Sequence, residues 1–345
     1  MDDIKFDLKD ISIIPAVESH VNSRKDIDIR VKFSKKMQLP LMAAPMDTVI
    51  NNDNLERFII EGIIPCMPRK SKNNSLPKSQ YFQSFGLTEI ESQLSSKDII
   101  KNPFWEYDNI LIDIANGHML RLVNVVKIIK QKFPKIKLMV GNVGHPYTYD
   151  NLAREGADYV RCSIGTGAGC TTAANVAINY PLGSLISECR KLKESGKYKT
   201  KIVADGGMQG YDDIIKALAL GADYVMIGSL FNKTMQSAGF NYIYKIKIPY
   251  DLAKTLWKWG FPVKKKYRGM STKAVQRKWG KAELTTAEGI TKYQKIEYNL
   301  TQWVKNFEDY LKSNMSYCGT WDLEDFIGKV KWVYITNNAL KRFQK

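Results

Sequence analysis

Eight short apolar runs of β type, amphipathic segments between several of them, and polar residues that recur just beyond the runs predict an α/β fold, a closed (β/α)8 barrel. The runs occupy residues 41–46, 63–67, 110–115, 137–142, 159–164, 201–205 and 224–228, with a weaker one near 82–88. They are continuous rather than alternating, which marks strands buried on both faces, as in a parallel sheet covered by helices. Met119, Leu122, Val123, Val126 and Ile129 share one helical face after the fourth run, and Ile214 and Leu218 do so after the seventh. The segment Gly156-Ala157-Asp158-Tyr159-Val160 returns as Gly221-Ala222-Asp223-Tyr224-Val225, each copy reading as a helix that stops at glycine and hands over to a strand.

Composition sets the outer bounds. With 345 residues, 44% hydrophobic and 25% charged, the chain is long enough for one large α/β barrel or two ordinary domains. No apolar run approaches the roughly 20 residues that span a bilayer. The start, Met1-Asp2-Asp3-Ile4-Lys5, is acidic and lacks an apolar core, so a cytoplasmic location with no membrane partner is expected. Cys66, Cys162, Cys170, Cys189 and Cys318 are odd in number and scattered, and His20, His118 and His145 lie far apart, which argues against a disulfide framework or a zinc site. The net charge of +17 favours anionic partners without choosing among them, and the general abundance of lysine gives part of it a compositional origin.

In barrels of this kind the chemistry gathers at the C-terminal ends of the strands. Asp47 follows the first run, Asp113 falls in the fourth, Asn142 ends the fifth, Asp205-Gly206-Gly207 closes the seventh and Gly228-Ser229 the eighth. After the sixth comes Gly165-Thr166-Gly167-Ala168-Gly169, which ends in Cys170-Thr171-Thr172. Amides of such a loop can converge on an anion, and a thiol at its mouth suits covalent attack. Cys170 reads equally as a small buried hydrophobe, the fate of most free cysteines. Gly206-Gly207 and Gly228-Ser229 at adjacent strand ends suit a phosphate, and Asp205 can accept from a ribose diol.

The runs Met42-Ala43-Ala44-Pro45-Met46-Asp47-Thr48-Val49, Gly141-Asn142-Val143, Ile164 to Thr172, Ala204-Asp205-Gly206-Gly207, Val225 to Leu230, Tyr267-Arg268-Gly269-Met270-Ser271 and Ala287-Glu288-Gly289 stand in the order seen in the IMP dehydrogenase/GMP reductase family. The chain resembles that family from about residue 5 to Cys318. The resemblance implies a barrel, usually a homotetramer, that acts on C2 of a purine nucleotide through a covalent bond to the loop cysteine. It implies Cys170 as nucleophile, with Thr172 and Glu288 handling protons. It also implies Asp205 on the ribose; Gly207, Gly228, Ser229 and Tyr267 on the phosphate; and Met270, Ser271 and Gly289 on the base. Asp113, Asn116 and Asn142 fall where the family places the nicotinamide cofactor, and Gly165, Gly167 and Cys170 resemble the carbonyl donors of a potassium site.

The same resemblance implies one barrel domain over residues 1–345, with a lid over the nucleotide within 231–300 and a C-terminal extension over 301–345. Only Ser271 to Ala287 separates Met270 from Glu288, the stretch lacks an Arg-Tyr pair, and no tandem regulatory domain follows the second run. These features favour a GMP reductase, with NADPH as cofactor, over the alternative of an IMP dehydrogenase using NAD. Ala168 stands where the family has a phosphate-binding serine, and Ala173, Thr285 and Phe240 also depart from its pattern. Those changes leave the sugar and the phosphorylation of the substrate open, and keep a non-catalytic nucleotide- or nucleic-acid-binding barrel as a third reading.

Lys264-Lys265-Lys266-Tyr267-Arg268, with Trp257, Trp259 and Trp279 nearby, interleaves bases and aromatics like a nucleic-acid surface. In a phosphate-binding barrel the simpler role is a lid or a solvated face, so nucleic acid is not the expected partner. His118 and His145 read as loop residues with local hydrogen bonds, and Cys66, Cys162 and Cys189 as core. Cys318 lies in a segment that resembles the family's reach toward a neighbouring subunit.

Overall fold

The computed structural model describes residues 4–71, 76–96, 103–278 and 289–343. Eight parallel strands close on themselves: β1 (Leu41–Ala43), β2 (Ile64–Met67), β3 (Phe82–Phe85), β4 (Asn109–Asp113), β5 (Lys137–Val143), β6 (Tyr159–Cys162), β7 (Lys201–Asp205) and β8 (Tyr224–Ile227), with β8 pairing back onto β1 at Val225–Leu41 and Met226–Met42. Each falls on one of the eight apolar runs, so the barrel is the predicted one. The runs overshoot where local chemistry ends a strand. Pro45 follows β1 closely, and after β3 the Glu89 carboxylate accepts from the Gly86 N–H at 3.1 Å, which starts a helix at Leu87 where the run seemed to continue.

Helices α1 (Leu55–Ile60), α2 (Leu87–Ser95), α3 (Leu120–Lys132), α4 (Pro146–Arg154), α5 (Leu182–Ser195) and α6 (Tyr211–Leu220) follow β1, β3, β4, β5, β6 and β7. Between β2 and β3 the described residues hold a single 3-10 turn, Lys78–Gln80. Two apolar layers result. Met42, Ile64, Cys66, Phe82, Leu111, Met139, Val203, Tyr224 and Met226 fill the barrel interior, which Phe33 of the hairpin Val31–Phe33/Lys36–Gln38 plugs from below. Between strands and helices lies the larger layer, to which α3 gives Leu122, Val125, Val126 and Ile129.

The repeated Gly-Ala-Asp-Tyr-Val segment is one device used twice. Gly156 and Gly221 both adopt positive φ just after α4 and α6. The following aspartate then turns under the barrel: Asp158 accepts from the Leu138 N–H at 3.0 Å and from Lys130 at 2.8 Å, and Asp223 from the Ile202 N–H at 2.8 Å and from Lys193 at 2.7 Å. The Asp223 pair is the more enclosed, its side chains 9% and 12% exposed. Asp223→Ala strands a buried ammonium and a strand N–H, so we expect a loss of about 3 kcal/mol in urea unfolding, and a smaller loss for Asp158→Ala.

Beyond β8 the chain builds a four-stranded antiparallel sheet from β9 (Asn241–Ile243), β10 (Ile246–Ile248), β11 (Lys264–Arg268) and β12 (Thr291–Lys295), in the order β10-β9-β11-β12. Helix α7 (Tyr250–Lys258) packs on one side of it through Ala253, which joins Met235, Ile248, Val263 and Ile296 in a small separate core. Helix α8 (Leu300–Cys318), which begins the segment expected as an extension, buries Trp303, Val304, Phe307, Leu311 and Met315 against the barrel. Further on, Trp332–Tyr334 pairs antiparallel with Ile11–Ile13. No helix among the described residues is long and apolar enough to cross a membrane.

Candidate active site

The C-terminal mouth of the barrel holds a cavity of about 250 Å³. Cys170 lies on its wall, half-buried, and its thiol donates to the Thr172 hydroxyl at 3.2 Å. The Cys170 loop is held from above by the sheet. The Ile290 N–H donates to the Gly169 carbonyl at 3.0 Å, the Gly269 N–H donates to the Ile290 carbonyl at 2.9 Å, and Cys170 faces Gly289 as a lone antiparallel bridge. Gly269 makes this approach possible, because a Cβ there would sit 2.4 Å from the Gly169 carbonyl oxygen. We expect Gly269→Ala to push the Cys170 loop aside and lower turnover about 100-fold or more, the scale of a 1 Å misplacement, with a melting temperature close to the parent's.

Asp113, Asn142, Gly165, Gly167, Asp205, Gly207, Gly228, Ser229, Tyr267, Met270 and Ser271 line the same cavity, so the structure brings most of the predicted site together. Gly289 contributes through the bridge to Cys170 rather than as lining. Asn116 does not join the cavity: it is exposed, and its side-chain oxygen accepts from the His118 N–H at 3.0 Å in a local turn. Glu288 and Thr285 lie outside the described residues. Tyr267 is buried, and burial first, then the nearby Asp205 and Cys170, push its phenol well up, so it meets a ligand as a neutral donor. Ser229 donates to Gln294 of β12 at 3.1 Å, tying the last strand end to the sheet above it.

Sequence reading missed the centre of this site. Arg161 of β6 is 7% exposed and crosses the barrel top, its Nη1 donating to Asp113 at 2.7 Å and its Nη2 to Asp205 at 2.7 Å. Burial works against its charge, but Asp205 and Asp113 outweigh that and hold the guanidinium protonated. Asn142 adds a bond to Asp205 at 2.7 Å, and Arg69 stands 3.6 Å from the other oxygen of Asp113. Room for Arg161 comes from the neighbouring strand, where a Cβ on Gly141 would lie 2.6 Å from the Arg161 Cβ.

The remaining thiols and imidazoles stay out of the site. Cys66, Cys162 and Cys189 are fully buried, and burial pushes the Cys66 and Cys189 thiols far up. His118 bonds the Thr148 hydroxyl at 2.8 Å and accepts from the Gly144 N–H, while His145 caps α4 by accepting from the Tyr147 N–H. No group of three or more His, Cys, Asp or Glu among the described residues is arranged to hold a metal ion.

Residues 101–344, well over half of the chain, match the profile described as IMP dehydrogenase / GMP reductase domain. The chain belongs to this family. It is 30% identical over 346 residues to a GMP reductase of Staphylococcus epidermidis, covering 96% of this chain and 97% of that protein. To GMP reductase 2 of Homo sapiens it is 26% identical over 355 residues, 98% of this chain and 96% of the other. An inosine-5'-monophosphate dehydrogenase of Chlorobaculum parvum is 33% identical over 236 residues, which cover 68% of this chain but only 46% of that longer protein. The family is one of oxidoreductases, and full-length agreement is found with the proteins named GMP reductase.

Proposed function

We propose that this protein reduces GMP, or a closely related purine nucleotide, to IMP with release of ammonia, at the expense of NADPH. The observation that carries the reading is the half-buried Cys170 thiol, paired with Thr172 on the wall of a cavity whose other sides present Asp205, the Gly206-Gly207 and Gly228-Ser229 strand ends and Tyr267. Phosphate rests on the backbone amides of Gly207 and Gly228 with the Ser229 hydroxyl and the Tyr267 phenol. Asp205 takes the ribose, and Met270, Ser271 and Gly289 orient the base.

Cys170 attacks C2 as the thiolate, and the bond to the exocyclic nitrogen breaks after that nitrogen receives a proton through Thr172, giving ammonia and a thioimidate. Glu288 is the proton source on family resemblance alone. The wall beyond Cys170 suits a carboxamide, since Asp113 offers an acceptor and Arg69 and Asn142 offer donors. NADPH, when bound, supplies a hydride to C2, and return of the electron pair to sulfur frees Cys170. A monovalent cation on the carbonyls of Gly165, Gly167 and Cys170 belongs to the same proposal; the Gly167 carbonyl already accepts from the Cys170 N–H at 2.8 Å and retains one lone pair. A homo-oligomer in the cytoplasm is the expected working form.

The test is consumption of NADPH with GMP or dGMP, with IMP and ammonia appearing in equal amounts. The likeness to the Chlorobaculum protein favours a second reading, oxidation of IMP by NAD, and formation of XMP would establish it instead. Nucleotide binding with neither product, and no adduct on Cys170 by mass spectrometry, would replace both with a non-catalytic barrel.

A further inference from the structure

We propose that the outer face of the β9–β12 sheet is a binding surface for single-stranded polynucleotide, separate from the nucleotide cavity. The register decides which side chains share that face. Lys247 of β10, Tyr242 of β9, Lys264 of β11 and Lys295 of β12 stand directly opposite one another across all four strands, and Lys266 pairs with Tyr293 in the next row. The alternate residues Asn241, Lys265, Gln294 and Ile248 are buried and point the other way, toward the side where α7 packs. The helix therefore covers one face only.

Four lysines spread over about 14 Å of sheet, at the usual strand spacing, would repel one another without an anion to share. The four strands contain no Asp or Glu, and none of these lysines pairs with a carboxylate among the described residues, whereas Lys130, Lys193 and Lys233 elsewhere each have one. Aromatic groups are set among the charges. Tyr242 and Tyr293 meet edge to face at 4.9 Å, Tyr293 is 50% exposed, and the Lys247 ammonium sits 3.5 Å over the ring of Phe240, itself 56% exposed. Cations alone would take any polyanion. Exposed rings between them add a surface on which unpaired bases stack, and the open sheet face offers this to a strand whose bases are splayed outward rather than to a duplex.

The experiment is fluorescence anisotropy of the whole protein with labelled oligouridylate and oligodeoxythymidylate of about 20 nucleotides, a duplex of the same length, and inorganic polyphosphate as competitor. Both single strands should bind, with log affinity falling against log salt at a slope of roughly −3, as four phosphate contacts require. The duplex should bind about tenfold more weakly or worse. Lys247→Glu with Lys264→Glu and Lys295→Glu should lower single-strand affinity at least about tenfold and flatten the slope. Tyr293→Ala should weaken oligonucleotide roughly fivefold or more while leaving polyphosphate binding unchanged. Should the triple variant melt early, Lys247→Glu and Tyr293→Ala alone carry the test. Equal binding of duplex or polyphosphate, oligonucleotide affinity indifferent to Tyr293→Ala, or self-association of the chain through this face as the event the lysine reversals abolish would each overturn the proposal.

Discussion

Cys170→Ala is expected to lower kcat for purine-nucleotide reduction by about three orders of magnitude or more, while nucleotide binding and the melting temperature stay close to those of the parent. The asymmetry follows from where the sulfur sits. It is half-buried on a cavity wall, donates only to the Thr172 hydroxyl among the bonds seen, and leaves no cavity in the core when removed. No other thiol can take its place: Cys66, Cys162 and Cys189 are sealed in the interior, and burial pushes Cys318, on α8, up to about 11. Cys170→Ser should be almost as inactive, since a hydroxyl at neutral pH lacks the nucleophilicity of a thiolate. Thr172→Val should lower kcat with little change in KM if, as proposed, Thr172 passes the proton that is needed only as ammonia departs. Retained turnover in Cys170→Ala would remove the covalent step from the mechanism.

The barrel was legible because its determinants are local. Each strand is a short run of apolar residues, and each of the two Gly-Ala-Asp-Tyr-Val copies carries its own glycine cap and its own aspartate to tie strand to helix. Boundaries were less legible, since the end of β3 depends on the Gly86–Glu89 capping bond rather than on hydrophobicity. In the cavity, residues that follow strand ends were found by position alone, and Asp205, Gly207, Ser229 and Cys170 do converge. Asn116, expected from the family resemblance and not from a strand end, falls three residues beyond β4, where its side chain accepts from the His118 N–H instead of joining the cavity. Arg161 left a signal that was passed over, a charge inside an apolar run and two residues after the inward-facing Tyr159. Arg69 left none, because its partner Asp113 is distant in the chain and only barrel closure brings them together.

Arg161→Met is expected to destabilise the fold by about 3–5 kcal/mol, the range for breaking a buried ion pair by removing one partner. At the unfolding entropy usual for a chain of this length that is a fall of about 4–7 °C in Tm. Methionine keeps most of the volume, so the loss is electrostatic: the carboxylates of Asp113 and Asp205, 14% and 12% exposed, would face each other across the barrel top with Arg69 standing 3.6 Å from one of them. Activity should fall as well, and for a reason stability does not capture. Arg161 fixes Asp205 through both Nε and Nη2, at 3.2 and 2.7 Å, and so sets the position of the carboxylate proposed to take the ribose. Arg161→Lys separates the two effects, because an ammonium keeps the charge but cannot fork between two carboxylates. It should recover most of the stability in urea unfolding while KM for the nucleotide stays raised. A Met variant as stable as the parent would show that solvent, and not the guanidinium, screens the two aspartates, and a Lys variant with parental KM would show that the charge alone positions Asp205.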